Sequence, residues 1–539
     1  MTTTLSELRT IADLPFFAAD RYGDRSAWRY QRDGAWVDRS YREVADEVRE
    51  LAAGLVAAGI SAGDRVCVLA ETSPRWAAAG CAILAAGAVL VPIYPSSSVQ
   101  ECAWVVGNSG ARLVICENAS QAAKLTGPVD TIVIDEGGLD TLRRTPTDEV
   151  DRRRAALQPD DPAVIIYTSG TTGPAKGCVL THRNWLTLCA INEELDYIVH
   201  DDVVYLFLPL AHVFAQMTLY ASAFAGATLA FFGGDPRRVV PELAQVRPTF
   251  LPSVPRVFEK VYTLFAGAPE SEELYAKVRG VFGGRLRMAL SGAAPISPAV
   301  LRFFHAAGVP VLEGYGMTES SGIGTVNTLD HFRLGSVGVA SPRVEVRTAE
   351  NGEVLMRGPH VFAGYWRDPA ATAAALVDGW LHTGDLGVLD ADGFLTITGR
   401  LKDIIITAGG KNVAPANLEN ELRQSRWISY ALLYGDRQPY LVALLTLDPD
   451  EILPWARERG LPEDLHVLAG HPEVRALVAG VVEAANAGYA RVAQVKRFAI
   501  LPRDLSQDAG ELTPTLKVKR TVVHANHADT LAGLYGESS

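Results

Sequence analysis

Apolar and polar positions along the chain form a repeating order of amphipathic stretches and short apolar runs. Residues 43–58 carry apolar side chains at helical spacing, which predicts an amphipathic helix. Arg65–Leu69 is a short apolar run that predicts a buried strand. Helix and strand follow over 73–86 and 88–93, then over 99–108 and 112–116. Similar alternation returns at 203–208, 227–232 and 249–254. Short apolar runs alternating with helices predict parallel strands with crossovers, hence an α/β fold of stacked layers. From about Glu345 the texture changes. Strand-like pieces at 352–357, 386–389 and 394–398 alternate with turns such as Asp392-Gly393, predicting a β-rich subregion. After Arg400 helices and strands mix again, as in a small α+β domain. With no repeat and no low-complexity linker, a domain boundary has to be a short hinge. The polar turn at 399–403 is the candidate.

One stretch imitates a membrane span, because residues 77–94 carry no charge. It holds its own punctuation, however. Ser73-Pro74 fits a helix start, Gly87 fits a helix end, and the run after it fits a buried strand. The expectation is a helix and a strand, and no transmembrane segment. The N-terminus lacks a basic segment followed by an apolar one, so no signal peptide is expected.

Bulk properties narrow the class. A chain of 539 residues is too long for a single core. A hydrophobic content of 48% with 21% charged residues reads as globular. A net charge of −12 argues against a dedicated nucleic-acid binder. The six cysteines, Cys67, Cys81, Cys102, Cys116, Cys178 and Cys189, lie in apolar surroundings without a C-x-x-C. They read as buried thiols of a reducing cytoplasm. No Cys/His cluster with metal-ligand spacing is present in the sequence.

The chemistry gathers in loops rich in glycine and hydroxyl groups. The apolar run 164–167 leads into T-S-G-T-T-G-P-A-K-G: Thr168, Ser169, Gly170, Thr171, Thr172 and Gly173, then Lys176 and Gly177. A strand ending in such a loop offers pliant backbone, hydroxyl donors and one cation to a polyphosphate. It is not a Walker A loop: Ala175 precedes Lys176 where Gly is required, and Gly177 follows it where Ser or Thr is required. Further segments combine glycine with capable side chains. They are S-G-A-A-P at 291–295, E-G-Y-G-M-T-E-S at 313–320, W-L-H-T-G-D-L-G at 380–387, G-R-L-K-D-I-I-I-T-A-G-G-K-N-V-A-P at 399–415 and L-T-P-T-L-K-V-K-R at 512–520. Each alone has an ordinary explanation as a turn, a core aromatic or a solvated charge. Their order and separation together do not.

In these loops the chain resembles the adenylate-forming superfamily of acyl- and aryl-CoA synthetases, adenylation domains and luciferases. The phrases L-P-L-A-H-V-F at 208–214, E-G-Y-G-M-T-E at 313–319, G-G-K-N-V-A-P at 409–415 and G-E-L-T-P-T-L-K-V-K-R at 510–520 resemble long-chain fatty acyl-CoA synthetases most. The resemblance runs from about Phe16 to Val523. It implies an adenylating domain over 1–400 and a small mobile C-terminal domain over 401–539, with a hinge at Lys402. It implies ATP, Mg²⁺ and CoA as the molecules used, in a cytoplasmic enzyme. Thr168, Ser169, Gly170, Thr171, Thr172, Gly173 and Lys176 would hold the β- and γ-phosphates. Tyr315, within Glu313, Gly314 and Gly316, would stack on adenine beside the backbone of Gly292, Ala293 and Ala294. Thr318 would contact the α-phosphate and Glu319 would place Mg²⁺, a hard ion that prefers oxygen. Asp385 would accept from the ribose hydroxyls, supported by Arg400. Lys517 would bridge the attacking carboxylate and the phosphate. His212 would stand between nucleotide and acyl chain, and Gly409, Gly410 and Lys411 would line the thiol channel.

Two departures accompany the likeness. The segment 257–285 is shorter and less helical in pattern than the extended insert of that subgroup, and Pro174-Ala175 sets the proline one place early. Three readings of function stay open at this point. They are a fatty acyl-CoA synthetase, an adenylating ligase for an aromatic or other acid or another acceptor, and a non-catalytic nucleotide binder. The acid, its chain length and the oligomeric state are not legible.

Overall fold

A computed structural model describes residues 7–168, 174–265, 267–514 and 516–536. The chain divides into two compact units. The first comprises Met1–Arg347, Leu355–Thr383 and Leu389–Leu395. The second comprises Thr348–Val354, Gly384–Val388 and Thr396–Ser539.

The first unit holds two large sheets. One has seven strands in the order Gly364–Tyr365, Lys176–Thr181, Pro162–Thr168, Val89–Ile93, Arg65–Leu69, Leu113–Cys116 and Asp130–Val133. The last five run parallel, and the first two are added antiparallel. The other has nine strands, with Val311–Tyr315, Met288–Ser291, Phe250–Ser253, Val203–Leu206, Thr228–Phe231 and Ser26–Arg32 as neighbours in a parallel body. Sequence grammar sets these elements. Ser73 accepts from the Trp76 N–H and Pro74 opens the helix Pro74–Ala85. Gly87 ends it with φ +77°, and Val89–Ile93 enters the sheet. Trp76 and Ile83 of this helix are fully buried among protein, each contributing roughly 1.5–3 kcal/mol of burial. The uncharged stretch is therefore core, and among the described residues no helix is long and apolar enough to cross a membrane. All six cysteines are buried free thiols.

The segment 257–285 corrects the expectation of weak helicity. It lies in helices Pro255–Phe265 and Glu272–Val281, the second capped by Ser271. Each buries one narrow face, Phe258 and Val261 in the first, Leu274 and Val278 in the second. A glycine-alanine-proline break between them interrupts the period, which hides both helices from a pattern reading.

The second unit has its own core. A three-stranded sheet of Ile428–Tyr434, Leu441–Leu447 and Val495–Ile500 packs against helices Pro415–Arg423, Pro449–Glu458 and Pro472–Asn486. Its other face packs Leu501, Leu505, Val523 and Leu531. A separate hairpin pairs Ile405–Ile406 with Asn412–Val413.

Candidate active site

The phosphate-type loop lies in the chain between the antiparallel strands Pro162–Thr168 and Lys176–Thr181 of the seven-stranded sheet. Thr168 pairs directly with Lys176 across that hairpin. Ser169, Gly170, Thr171, Thr172 and Gly173 lie outside the described residues. The exit of the loop is held from the side, where the Trp104 indole N–H donates to the Ala175 carbonyl at 2.8 Å. Beneath it, the Thr168 hydroxyl and the Cys178 thiol lie 3.7 Å apart. Burial pushes the Cys178 thiol well above its ordinary range, and the nearby Glu319 carboxylate pushes it further.

Glu319 belongs to the short turn Thr318–Ser320, where Thr318 and Glu319 are both buried. The Tyr365 hydroxyl donates to Glu319 Oε1 at 2.8 Å. The Lys176 ammonium stands 5.0 Å from the centroid of the same tyrosine ring. Lys176 and Glu319, taken from two sequence loops, thus both contact Tyr365, and Thr168 pairs with Lys176. The sequence reading passed over Tyr365. Its signal was G-Y-W-R-D-P at 364–369, an aromatic pair framed by glycine and Asp-Pro like the other loops. Tyr365 also borders an open cleft of ≈ 510 Å³.

The S-G-A-A-P and E-G-Y-G segments leave adjacent parallel strands in register, Ser291 opposite Glu313. A Cβ on Gly292 would meet the Phe214 ring at 3.4 Å and the Gly314 carbonyl oxygen at 3.8 Å. Ala293 holds φ +67°. Gly316 has no alternative, because a Cβ there would fall 2.4 Å from the Gly322 backbone. Tyr315 is half-buried at the end of its strand. Glu313 is buried, and burial pushes its carboxyl up to about 7 against one hydrogen bond from the Gly335 N–H. His212 caps the helix Val213–Ala225: its Nδ1 accepts from the Phe214 N–H at 3.1 Å. That bond leaves Nε2 to carry the proton of the neutral ring. The helix it opens is almost wholly buried, and its Phe214 packs on Gly292.

In the second unit, the Arg400 Nε–H donates to Asp385 Oδ1 at 2.9 Å, and Asp385 is buried. Lys402 is exposed on the turn Leu401–Asp403. Gly409, Gly410 and Lys411 form the exposed tip of the hairpin, closed by Gly410 N–H to the Thr407 carbonyl at 2.8 Å with φ +70° at Gly410. Lys517 is exposed on a second tight hairpin. Its N–H donates to Thr513 Oγ1 at 3.0 Å, and its carbonyl accepts from the Thr513 N–H at 2.8 Å.

The base of the Lys517 hairpin is a buried carboxylate that sequence reading did not single out. Glu511 Oε1 and Oε2 accept from Arg503 at 2.9 and 2.7 Å, and Oε2 also accepts from the Ser506 N–H at 3.2 Å. Asn526 donates to Oε1 at 3.3 Å and His527 lies 3.4 Å from it. The Glu511 carbonyl accepts from the Lys519 N–H at 2.7 Å, closing the strand that follows Lys517. Burial works against the charge of Glu511, but the bonds from Arg503, Asn526 and Ser506 outweigh it and hold the carboxyl below its usual range.

Among the described residues no group of three or more His, Cys, Asp or Glu could hold a metal by itself. A lone buried carboxylate beside a phosphate-type loop fits Mg²⁺ carried on a polyphosphate, since that ion is usually held by one or two carboxylates plus substrate phosphates. It does not fit a resident transition metal.

A glycine- and hydroxyl-rich sequence loop after a buried strand, with a cation and a buried carboxylate near it, fits a nucleotide-using enzyme. The chain belongs to the AMP-binding enzyme family, whose main model matches residues 16–366 and whose C-terminal domain model matches residues 402–539. It is 39% identical over 575 aligned residues to the long-chain-fatty-acid–CoA ligase FadD15 of Mycobacterium bovis, covering 94% of each chain. Among solved structures it resembles the adenylation domain of a carboxylate reductase from Mycobacterium chelonae, with a TM-score of 0.80 and 24% identity over 98% of this chain and 91% of that one. It also resembles the O-succinylbenzoate coenzyme A synthetase of Bacillus subtilis solved with AMP, with a TM-score of 0.74 and 22% identity over 94% and 97%. At those identities the two structures share the fold.

Proposed function

We propose that this protein is an AMP-forming acid–thiol ligase that activates a long-chain fatty acid with ATP and transfers it to CoA. The observation that carries this reading is the likeness to FadD15, which extends over 94% of both chains. The reaction needs two half-reactions because a carboxylate is a poor acyl donor and an acyl-adenylate a good one.

In the first, a carboxylate oxygen of the acid bonds to the α-phosphorus of ATP. The bond from that phosphorus to the bridging oxygen breaks, and pyrophosphate leaves with the electron pair. Lys176 and the loop from Thr168 to Gly173 hold the β- and γ-phosphates through the ammonium, hydroxyls and amides. Thr318 donates to the α-phosphate. Tyr315 stacks on adenine, with the backbone at Gly292–Ala294 and the strand of Glu313, Gly314 and Gly316 forming the rest of that slot. Asp385 accepts from the ribose hydroxyls while Arg400 fixes its carboxylate. Lys517 neutralises the charge that builds between acid and phosphate in the transition state. Mg²⁺ held by Glu319 and the nucleotide would offset polyphosphate charge.

In the second half-reaction the CoA thiol gives up its proton to water, its sulfur bonds to the acyl carbon, and the carbon–oxygen bond to AMP breaks, AMP leaving with the electron pair. The backbone of Gly409 and Gly410 lets a slender pantetheine arm pass closely, and Lys411 steadies the developing charge. His212 stands between nucleotide and acyl chain. The residues up to 400 form the adenylating domain and 401–539 the mobile one, with Lys402 as pivot between half-reactions. The enzyme works in the cytoplasm on small molecules, without nucleic acid.

A panel of fatty and aromatic acids, scored for AMP release with and without CoA, tests this reading. AMP release that requires CoA and is fastest with long-chain fatty acids is expected. Preference for an aromatic acid, or AMP release indifferent to CoA, would favour a ligase of another pathway.

A further inference from the structure

A cation and a carboxylate that converge on one phosphate site tend to pair with each other, and pairing withdraws both from the ligand. Lys176 and Glu319 are such a pair. One side chain contacts both of them in different ways. The Tyr365 hydroxyl donates to Glu319 Oε1 at 2.8 Å, and an ionised carboxylate keeps further lone pairs that can face a cation. The Tyr365 face carries the Lys176 ammonium at 5.0 Å, a cation–π seat that leaves the ammonium hydrogens for phosphate.

Tyr365 is itself fixed by backbone bonded to both partners. Its strand pairs with that of Lys176, with Tyr365 opposite Cys178. The Trp366 N–H donates to the Gly177 carbonyl at 2.7 Å, next to Lys176. The Phe362 N–H donates to the carbonyl of Glu319 itself at 2.9 Å. Asn184 donates to the carbonyls of Pro359 and Val361, and Ser321 to that of His360, so the strand is pinned along its approach. Gly364 comes so close to Thr372 that a Cβ would fall 2.6 Å from its Cγ2, and the Tyr365 N–H donates to Thr372 Oγ1 at 2.8 Å. The ring meets Phe362 edge-on at 4.9 Å.

We propose that Tyr365 is a positioning residue that seats Lys176 for the nucleotide phosphates and aims Glu319 at the accompanying Mg²⁺. The proposal rests on the nucleotide-site reading above. It divides the side chain into two separable parts: the hydroxyl serves the metal-facing carboxylate, the ring serves the lysine.

The test is calorimetric binding of ATP to the full chain, without acid, with and without Mg²⁺. Tyr365→Phe keeps the ring and its packing. It should bind metal-free ATP like the parent but lose about tenfold of the affinity gained on adding Mg²⁺, the usual scale for a lost partner of a metal ligand. Tyr365→Leu should also bind metal-free ATP several-fold more weakly. In a Glu319→Gln background, Tyr365→Phe should change nothing further. Equal Mg²⁺ enhancement in Tyr365→Phe and parent would overturn the proposal. So would equal losses of metal-free binding in the Phe and Leu variants, the mark of packing alone. A parent that binds ATP in neither condition would instead sink the nucleotide-site reading, and this proposal with it.

Discussion

Replacing Glu511 perturbs the base of the Lys517 hairpin without touching the lysine. The carboxylate is fully buried and takes two bonds from Arg503, one from the Ser506 N–H and one from Asn526. Deleting one partner of a buried, hydrogen-bonded ion pair costs about 3–5 kcal/mol. The Arg503 side chain is 48% exposed, so water takes up its charge once Glu511 is gone, and Glu511→Ala falls at the lower end, about 3 kcal/mol. Glu511→Gln keeps the shape and one acceptor but turns an amide NH₂ toward donors, a loss of about 2 kcal/mol. Both changes loosen the Lys519 strand and so the aim of Lys517. A misplacement of about 1 Å at a reacting group costs on the order of 10²-fold in rate. The assay is a pair of half-reactions: ATP–pyrophosphate exchange, and thioester formation from supplied acyl-adenylate and CoA. Exchange should fall by about that factor in Glu511→Ala, with thioester formation nearly unchanged. Because the folded carboxyl is held below its usual range, its stabilisation is present above the unfolded value and is lost as pH falls through the folded one. Acid should therefore loosen this hairpin base in the parent only below the ordinary carboxylate range. Exchange at the parent's rate in both variants, alongside a lowered melting temperature, would refute the idea that Glu511 aims Lys517.

Three more predictions follow the same residues. Lys517→Ala should lose pyrophosphate exchange yet still convert supplied acyl-adenylate to thioester; normal exchange would move the role elsewhere, Lys519 being the next candidate. Gly409→Leu should fold normally, since a Cβ there meets only Thr407 Oγ1 at 3.9 Å, and should slow CoA transfer but not exchange; intact transfer would make the glycine a mere turn residue. Glu313 has its folded carboxyl raised to about 7, so its ionisation destabilises the fold progressively as pH rises through that value, by roughly 3 kcal/mol in full. Thermal melts of Glu313→Gln and parent should accordingly draw closer as pH falls to about 5, and a gap independent of pH would contradict the assignment.

The local grammar of the fold was legible where a cap or breaker marks it. Ser73-Pro74 and Gly87 delimit the helix Pro74–Ala85, as their sequence suggested. Apolar runs located parallel strands such as Arg65–Leu69, Val89–Ile93 and Leu113–Cys116 because both faces are buried, so no polar position interrupts them. The paired helices between 255 and 281 were missed because the glycine-alanine-proline break between them interrupts the apolar period. At the site, glycine-rich loops announced themselves through composition. Asp385 and Arg400, both assigned to the ribose by resemblance, are hydrogen-bonded to each other. Tyr365 and Glu511 were not singled out, for one physical reason. Their roles come from a carboxylate or lysine brought close by strand pairing or hairpin closure, which no local pattern encodes. The lining of an acid pocket is scattered in the same way, and one methylene shifts selectivity by only about 1–3 kcal/mol, so chain length was never readable.

The central claim is that one protein makes an acyl-adenylate from a fatty acid and hands it to CoA. Single-turnover mixing tests it most directly. Enzyme, ATP, Mg²⁺ and a long-chain fatty acid are incubated until acyl-adenylate forms, CoA is then added, and acyl-adenylate, acyl-CoA and AMP are followed by mass spectrometry. The account predicts that acyl-adenylate disappears as acyl-CoA and AMP appear in equal amounts. Acyl-adenylate that persists in the presence of CoA would contradict it.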